Sequence, residues 1–280
     1  MRSGTEAESV RSFVQPITEG HRRVMLRTDD GVRIDASYES GPTGGDGLAI
    51  VVAHGFSGRL ERPAVRRAAR AFAQHAAVIT LSFRGHGGSG GRSTVGDREV
   101  LDLAAAVAWA RSLGHERVAT VGFSMGGSVV LRHAALYGEN APEREGRTEA
   151  RTDAVVAVSA PARWFYRGTA PMRRLHWVVT RRSGRVVGRY GLKTRIHHKG
   201  WDPVPLSPVE AVPLIAPLPL LIVHGDRDRY FPLDHPRSLM AVADPATSEL
   251  WVEPGMGHAE DAADEMLLAR IGEWLVTRSL

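Results

Sequence analysis

The sequence predicts an α/β fold: a mostly parallel sheet of about eight strands, covered by helices on both faces and carrying a small helical cap. Three observations lead there. Apolar runs of strand length, many rich in β-branched residues, recur along the chain. Helical patterns separate most of them. Turn residues, chiefly Gly, Pro and Asp, bound the majority. Strands alternating with helices are joined by right-handed crossovers, which makes neighbouring strands parallel and places helices on both faces.

In chain order, residues 24–27 and 32–38 flank Asp29-Asp30-Gly31 and read as an antiparallel hairpin at the sheet edge. Strands follow at 48–53, 77–82, 117–121, 154–159, 219–224 and 249–253, and helices at 63–75, 98–113, 124–137, 234–243 and 259–277. In the second helix Val100, Leu103 and Val107 share a face, Asp97 is placed to cap it, and Glu99 and Asp102 lie near its positive end. The charged, Pro- and Gly-punctuated stretch 141–153 predicts a mobile loop. The stretch 161–205 breaks the alternation and reads as a mainly helical insertion over the carboxyl edge of the sheet. The expected division is therefore a core domain of residues 1–160 and 206–280 with a basic cap at 161–205.

Composition narrows the class of function. At 280 residues, 43% hydrophobic and 24% charged, the chain has the material for one large globular domain. It contains no cysteine, so disulfides, thiolate nucleophiles and cysteine zinc sites are excluded. The first twenty residues carry Glu6, Glu8 and Glu19 and no apolar stretch, and no later segment offers about 18 unbroken apolar residues; the expectation is a cytoplasmic protein without a signal or membrane span. The net charge of +5 is unevenly placed: residues 161–200 hold eleven Arg and Lys and no Asp or Glu, so the remainder is net negative. That patch suits an anionic substrate or an anionic membrane surface, or is simply solvated; no motif points to nucleic acid.

The chemistry centres on Gly122-Phe123-Ser124-Met125-Gly126. A strand precedes this motif and a helix follows it, so Ser124 falls on a tight turn whose glycines relieve crowding while the serine takes a strained conformation that exposes its hydroxyl. The helix N-terminus beneath favours developing negative charge. A serine hydroxyl needs a histidine base, and the histidine a carboxylate that fixes its tautomer. In an open α/β sheet these partners follow strands at the carboxyl edge. Asp228 is the acid chosen from that position; Asp226 lies in the turn itself, where Asp commonly braces backbone amides, and Asp234 is placed to cap the next helix. His258 is the base, on the flexible turn after the last strand; His133 and His235 read as packing or surface residues, and His197 and His198 as cap surface. The oxyanion donors are expected to be the backbone N–H groups of Met125 and of Phe56, in the loop His54-Gly55-Phe56-Ser57-Gly58. His54 is either a brace of that loop or a substrate contact, and His86, Trp164 and Trp177 are further candidates for substrate binding.

With Ser124, Asp228 and His258 in that order, the sequence resembles the α/β-hydrolase superfamily over nearly its whole length. Four motifs carry the resemblance: His54-Gly55-Phe56; Arg84-Gly85-His86-Gly87-Gly88-Ser89; the Ser124 turn; and His224-Gly225-Asp226-Arg227-Asp228 with Gly257-His258. The second is similar to a loop of capped members and reads as architectural, with His86 and Ser89 near the pocket. Within the superfamily the chain resembles the monoacylglycerol-lipase, serine-aminopeptidase-like and small esterase group. The resemblance implies a serine hydrolase cleaving a carboxylic ester or thioester through an acyl-enzyme, with neither cofactor nor metal. Its alternatives are an acyl-CoA thioesterase, a lipase at an anionic membrane, or a non-catalytic ligand-binding relative. Ser124 argues against dehalogenase chemistry, which uses Asp as nucleophile, and the cationic cap departs from ordinary relatives.

Overall fold

The computed structural model describes residues 21–42, 47–139, 141 and 148–279. The eight strands are β1 (His21–Arg27), β2 (Arg33–Glu39), β3 (Leu48–Ala53), β4 (Ala77–Leu81), β5 (Arg117–Phe123), β6 (Ala154–Val158), β7 (Leu220–Gly225) and β8 (Ser248–Glu253). They form one sheet in the order β1-β2-β4-β3-β5-β6-β7-β8. The first two pairings, β1 with β2 and β2 with β4, are antiparallel, and every later one is parallel. At the β1–β2 turn Gly31 adopts φ +79°, the left-handed region that glycine tolerates. The helices are α1 (Pro63–Phe72), α2 (Glu99–Ser112), α3 (Met125–Tyr137), α4 (Ala170–Thr180), α5 (Arg182–Tyr190), α6 (Pro208–Ala211), α7 (Asp234–Met240), α8 (Ala259–Ala262) and α9 (Glu265–Arg278).

Strand side chains alternate between two apolar layers. Ile50 and Val52 pack with Phe72 of α1 and Leu268 and Ile271 of α9, whereas Ala49 and Val51 pack with Leu103 and Val107 of α2 and Val130 and Leu131 of α3. The chain steps from β3 outward to β4, then crosses back to β5 on the other side of β3. This reversal opens a crevice at the carboxyl ends of β3 and β5, the position at which open α/β sheets bind ligands.

Several predicted boundaries shift for physical reasons. Strand β5 runs two residues past Val121 because Gly122 still pairs with Ala53 on one side and Ala157 on the other. The last predicted helix divides in two: Asp264, with extended backbone, accepts the N–H of Leu267 at 2.8 Å and starts a new helix. Asp97 does not cap α2; Arg98 holds the cap position, and the Asp97 carboxylate lies 3.6 Å from Arg132. Glu99 instead accepts the N–H groups of Thr94, Val95 and Gly96, which secures the loop before the helix. Asp234 is the first helical residue of α7 rather than its cap, and it pairs with Arg163. Of the predicted loop 141–153, residues 142–147 lie outside the described residues, as do the first twenty of the chain; Thr148–Ala150 forms one 3-10 turn. Between β6 and β7, residues 161–205 supply α4 and α5 and an irregular return whose Ile196 bridges Ser93.

Helix α3 lies in the interior: all its residues except the half-buried Leu136 are buried. His133 there is fully buried and stacks on Tyr137 at 4.6 Å. Burial pushes its pKa down to about 3, so the folded protein resists a proton that the unfolded chain accepts near 6.5. Stability from this site is full above the unfolded value and is lost as pH falls from there toward 3. His133→Leu should therefore flatten the acid side of the stability curve. Measured by urea denaturation, the loss between pH 7 and pH 4 should shrink by about 2–3 kcal/mol.

Candidate active site

Ser124 stands between β5 and α3 with φ 53° and ψ −112°, a conformation that side-chain-bearing residues rarely adopt. Crowding explains the glycines around it. A Cβ on Gly122 would come within 2.2 Å of the Gly126 oxygen, and one on Gly126 within 2.1 Å of the Ala53 oxygen. The Ser124 N–H donates to Val158 O at 2.9 Å, and its carbonyl accepts the Ser128 N–H at 3.2 Å, so the serine sits at the N-terminus of α3.

The turn after β7 carries Asp226 and Asp228. As predicted for a brace, Asp226 accepts the Gly255 N–H at 2.7 Å. Asp228 has a fully buried side chain; its Oδ1 accepts the N–H groups of Tyr230 and Phe231 at 2.7 and 3.0 Å, and its Oδ2 lies 2.7 Å from His258 Nδ1. Burial pushes this carboxyl up, but His258 and the two amides outweigh it and hold its pKa below the ordinary value. An ionised carboxylate only accepts, so His258 carries its proton on Nδ1 and turns a lone pair on Nε2 toward Ser124 Oγ, 2.8 Å away. Tyr230 stacks on the imidazole at 4.2 Å and Phe231 meets it edge-on at 5.6 Å. The structure thus joins Ser124, His258 and Asp228 in one chain of hydrogen bonds.

Phe56 follows β3 and faces the same crevice. For His54 the structure has the brace rather than the substrate contact, and it departs from the substrate-contact reading of His86. His54 is wholly buried: Nε2 accepts the Phe83 N–H at 3.0 Å, leaving Nδ1–H to donate to Gly55 O at 2.6 Å. Burial, then the neighbouring His86, push its pKa well down, so the ring is neutral. His86 is likewise buried, with Nε2 2.6 Å from Phe56 O and Nδ1 3.0 Å from Arg84 O. Both rings brace backbone, and neither lines a cavity at Ser124. Ser89 is also architectural, accepting the Asp35 N–H at 2.9 Å.

Two cavities meet at Ser124. One, of about 200 Å³, is walled by Trp164, Tyr166, Trp201, Phe231, Leu175 and Ile196, and includes Met125. The other, of about 570 Å³, contains His258 and is more polar, with Arg62, Arg174, Glu260 and Asp261 on its walls. Phe56, Ser124, Met172 and Leu175 belong to both. Trp164 accordingly lines the aromatic cavity, its indole N–H held by Pro205 O at 2.9 Å. Trp177 does not: it lies on the outer side of α4, 45% exposed. Sequence reasoning missed Tyr230, Phe231 and Glu260 as neighbours of the base. The first two adjoin Asp228 and could have been found from that spacing; Glu260 adjoins His258 in the same way, but its partner Gly55 lies 205 residues away. Among the described residues no His, Asp and Glu cluster could hold a metal ion, and no helix is long and apolar enough to cross a membrane.

Strand order, the strained serine and its hydrogen-bonded partners define an α/β-fold hydrolase. The match of residues 50–267 to the model of the alpha/beta hydrolase family agrees, and the chain belongs to that family. It is 30% identical over 276 residues to a monoacylglycerol lipase of Mycolicibacterium smegmatis, covering 88% of this chain and 94% of that one. It is 31% identical over 187 residues to the esterase LipC of Mycobacterium tuberculosis, covering 60% of this chain and 42% of that one. Among solved structures, the Pyrococcus furiosus esterase Pf2001 superposes with a TM-score of 0.67 at 21% identity over 93% of both chains. Est1E of Butyrivibrio proteoclasticus, solved with ferulic acid bound, gives 0.59 at 18% identity, over 91% of this chain and 99% of that one. These two likenesses concern the fold.

Proposed function

We propose that the protein is a serine esterase that works through an acyl-enzyme. The observation that carries the reading is the continuous hydrogen-bond chain from Ser124 Oγ to His258 to Asp228, at 2.8 and 2.7 Å. Ser124 attacks the ester carbonyl while His258 Nε2 takes its proton; Asp228 holds the imidazole in that tautomer and stabilises its cation. The N–H groups of Phe56 and Met125 receive the developing oxyanion, each contributing roughly 3–4 kcal/mol. His258 then protonates the leaving oxygen, and water, activated by the same ring, hydrolyses the acyl-enzyme. Relatives named as a monoacylglycerol lipase and an esterase support an ester as substrate.

The two cavities orient that ester. The leaving group must face the histidine that protonates it, and only the polar cavity contains His258; the acyl group therefore occupies the aromatic cavity. Residues 161–205 act as a cap, contributing Trp164, Tyr166 and Trp201 to the acyl side and Arg174 to the leaving-group side. With Arg174 there, and eleven cations and no acid along 161–200, an anionic leaving group such as that of an acyl-CoA thioester is the second reading.

Three measurements check these statements. A fluorophosphonate probe should label the wild type and not Ser124→Ala, whose turnover should fall by a factor on the order of 10⁶; Ser124-independent hydrolysis overturns the assignment. Trp164→Ala should lower kcat/KM for short or aromatic acyl esters by about tenfold, with little response to a changed alcohol. Hydrolysis of an acyl-CoA should slow severalfold between low and 0.5 M salt while a neutral ester with the same acyl group is unaffected; equal salt responses remove the electrostatic reading.

A further inference from the structure

Glu260 lies two residues after His258, and its carboxyl reaches across the crevice to the segment that bears Phe56. Its side chain is almost wholly buried, on the wall of the cavity that holds Ser124 and His258. Oε1 accepts the Gly55 N–H at 3.1 Å. The contact is tight: a Cβ on Gly55 would meet both carboxyl oxygens at 3.1 Å. Among the described residues no cation pairs with this carboxyl; Arg62, in the same cavity, is bonded to Asp261 at 2.7 Å and to Ser57. A buried acid without an ion pair is costly, and an apolar residue of similar size would avoid that cost.

Its surroundings explain what the acid does. The Gly55–Phe56 peptide is fixed on its carbonyl side by His54 Nδ1–H at 2.6 Å. Glu260 fixes the preceding peptide through its N–H. With both groups of Gly55 held, the Phe56 N–H has one direction in which to point. The main chain at the other end is anchored as well: Glu260 O accepts from Arg67 at 2.6 Å, and the Ala259 N–H donates to Ser159 Oγ at 3.0 Å.

We propose that Glu260 is a positioning residue that locks the oxyanion loop, at Gly55–Phe56, to the segment carrying the base, His258. The proposal rests on the serine-esterase reading. It predicts that Glu260 acts as a hydrogen-bond acceptor at a set reach, through geometry and not through charge. In hydrolysis of p-nitrophenyl butyrate, Glu260→Ala should lose about 10- to 100-fold in kcat with KM changed by less than about twofold, short of the 10²–10³ lost when an oxyanion donor is removed outright. Glu260→Gln keeps an acceptor at the same reach and should recover kcat to within about threefold. Circular dichroism and Tm report whether each variant is folded. A folded Ala variant with wild-type kcat, or a Gln variant as slow as Ala, overturns the proposal. Should the Ala variant not fold, Glu260→Asp decides: one methylene shorter, it should be slower than Gln although it keeps the charge, and equal rates overturn the proposal. A wild type that neither hydrolyses the ester nor labels at Ser124 overturns the esterase reading, and this one with it, whereas an active wild type beside an unimpaired Ala variant overturns this one alone.

Discussion

Everything at the candidate site depends on the first turn of α3 lying against the ends of β3 and β5 at a distance that excludes side chains. Gly122 and Gly126 occupy the two points of closest approach, where a Cβ would come to 2.2 Å and 2.1 Å of backbone oxygens. That approach forces Ser124 into its positive-φ conformation and turns its hydroxyl out of the sheet. It also brings the amide end of α3 beside the loop after β3, so Phe56 and Met125 share a crevice with Ser124. The strain is held in place by parallel pairing on both sides of β5, whose partners β3 and β6 are themselves buried strands.

The partners of Ser124 arrive by a different route. Asp228 and His258 sit on the turns after β7 and β8, which are neighbouring parallel strands, so their loops emerge side by side at one edge. Asp228 is held by two amides of its own loop, and His258 by the stacked ring of Tyr230 from that loop. The turn bearing Asp228 thus shapes the position of His258 through contacts other than the carboxylate itself.

Much of this was legible in the sequence because it is written in local signals. The order of strands and helices follows from apolar periodicity, and Ser124, Asp228 and His258 stand out because each directly follows a strand. Side-chain destinations over long separations were not legible. By position His54 could brace its loop or meet substrate and His86 could reach the pocket; only the fold shows both meeting backbone, at Phe83, Gly55 and Phe56. Trp177 and Trp164 lie on the same insertion, but only the fold decides that one faces solvent and the other a cavity. Asp97 followed the rule for a cap, and a tertiary contact with Arg132 displaced it. Glu260 pairs with Gly55, 205 residues away, a distance over which no periodicity or spacing rule operates.

The insertion 161–205 leaves the sheet after β6 and returns before β7, strands that are hydrogen-bonded neighbours. Its two ends meet, with the Trp164 indole N–H on Pro205 O and the Val209 N–H on Ala162 O, both at 2.9 Å, while Ser124, Asp228, His258 and Phe56 all lie outside it. The insertion supplies Trp164, Tyr166, Trp201 and Arg174 to the cavity walls, while Phe56, Met125, Phe231 and Glu260 reach the same walls from the sheet's own loops. Under the esterase reading, a different segment between these two strands would change only the walls it contributes and leave Ser124, Asp228 and His258 where the sheet holds them.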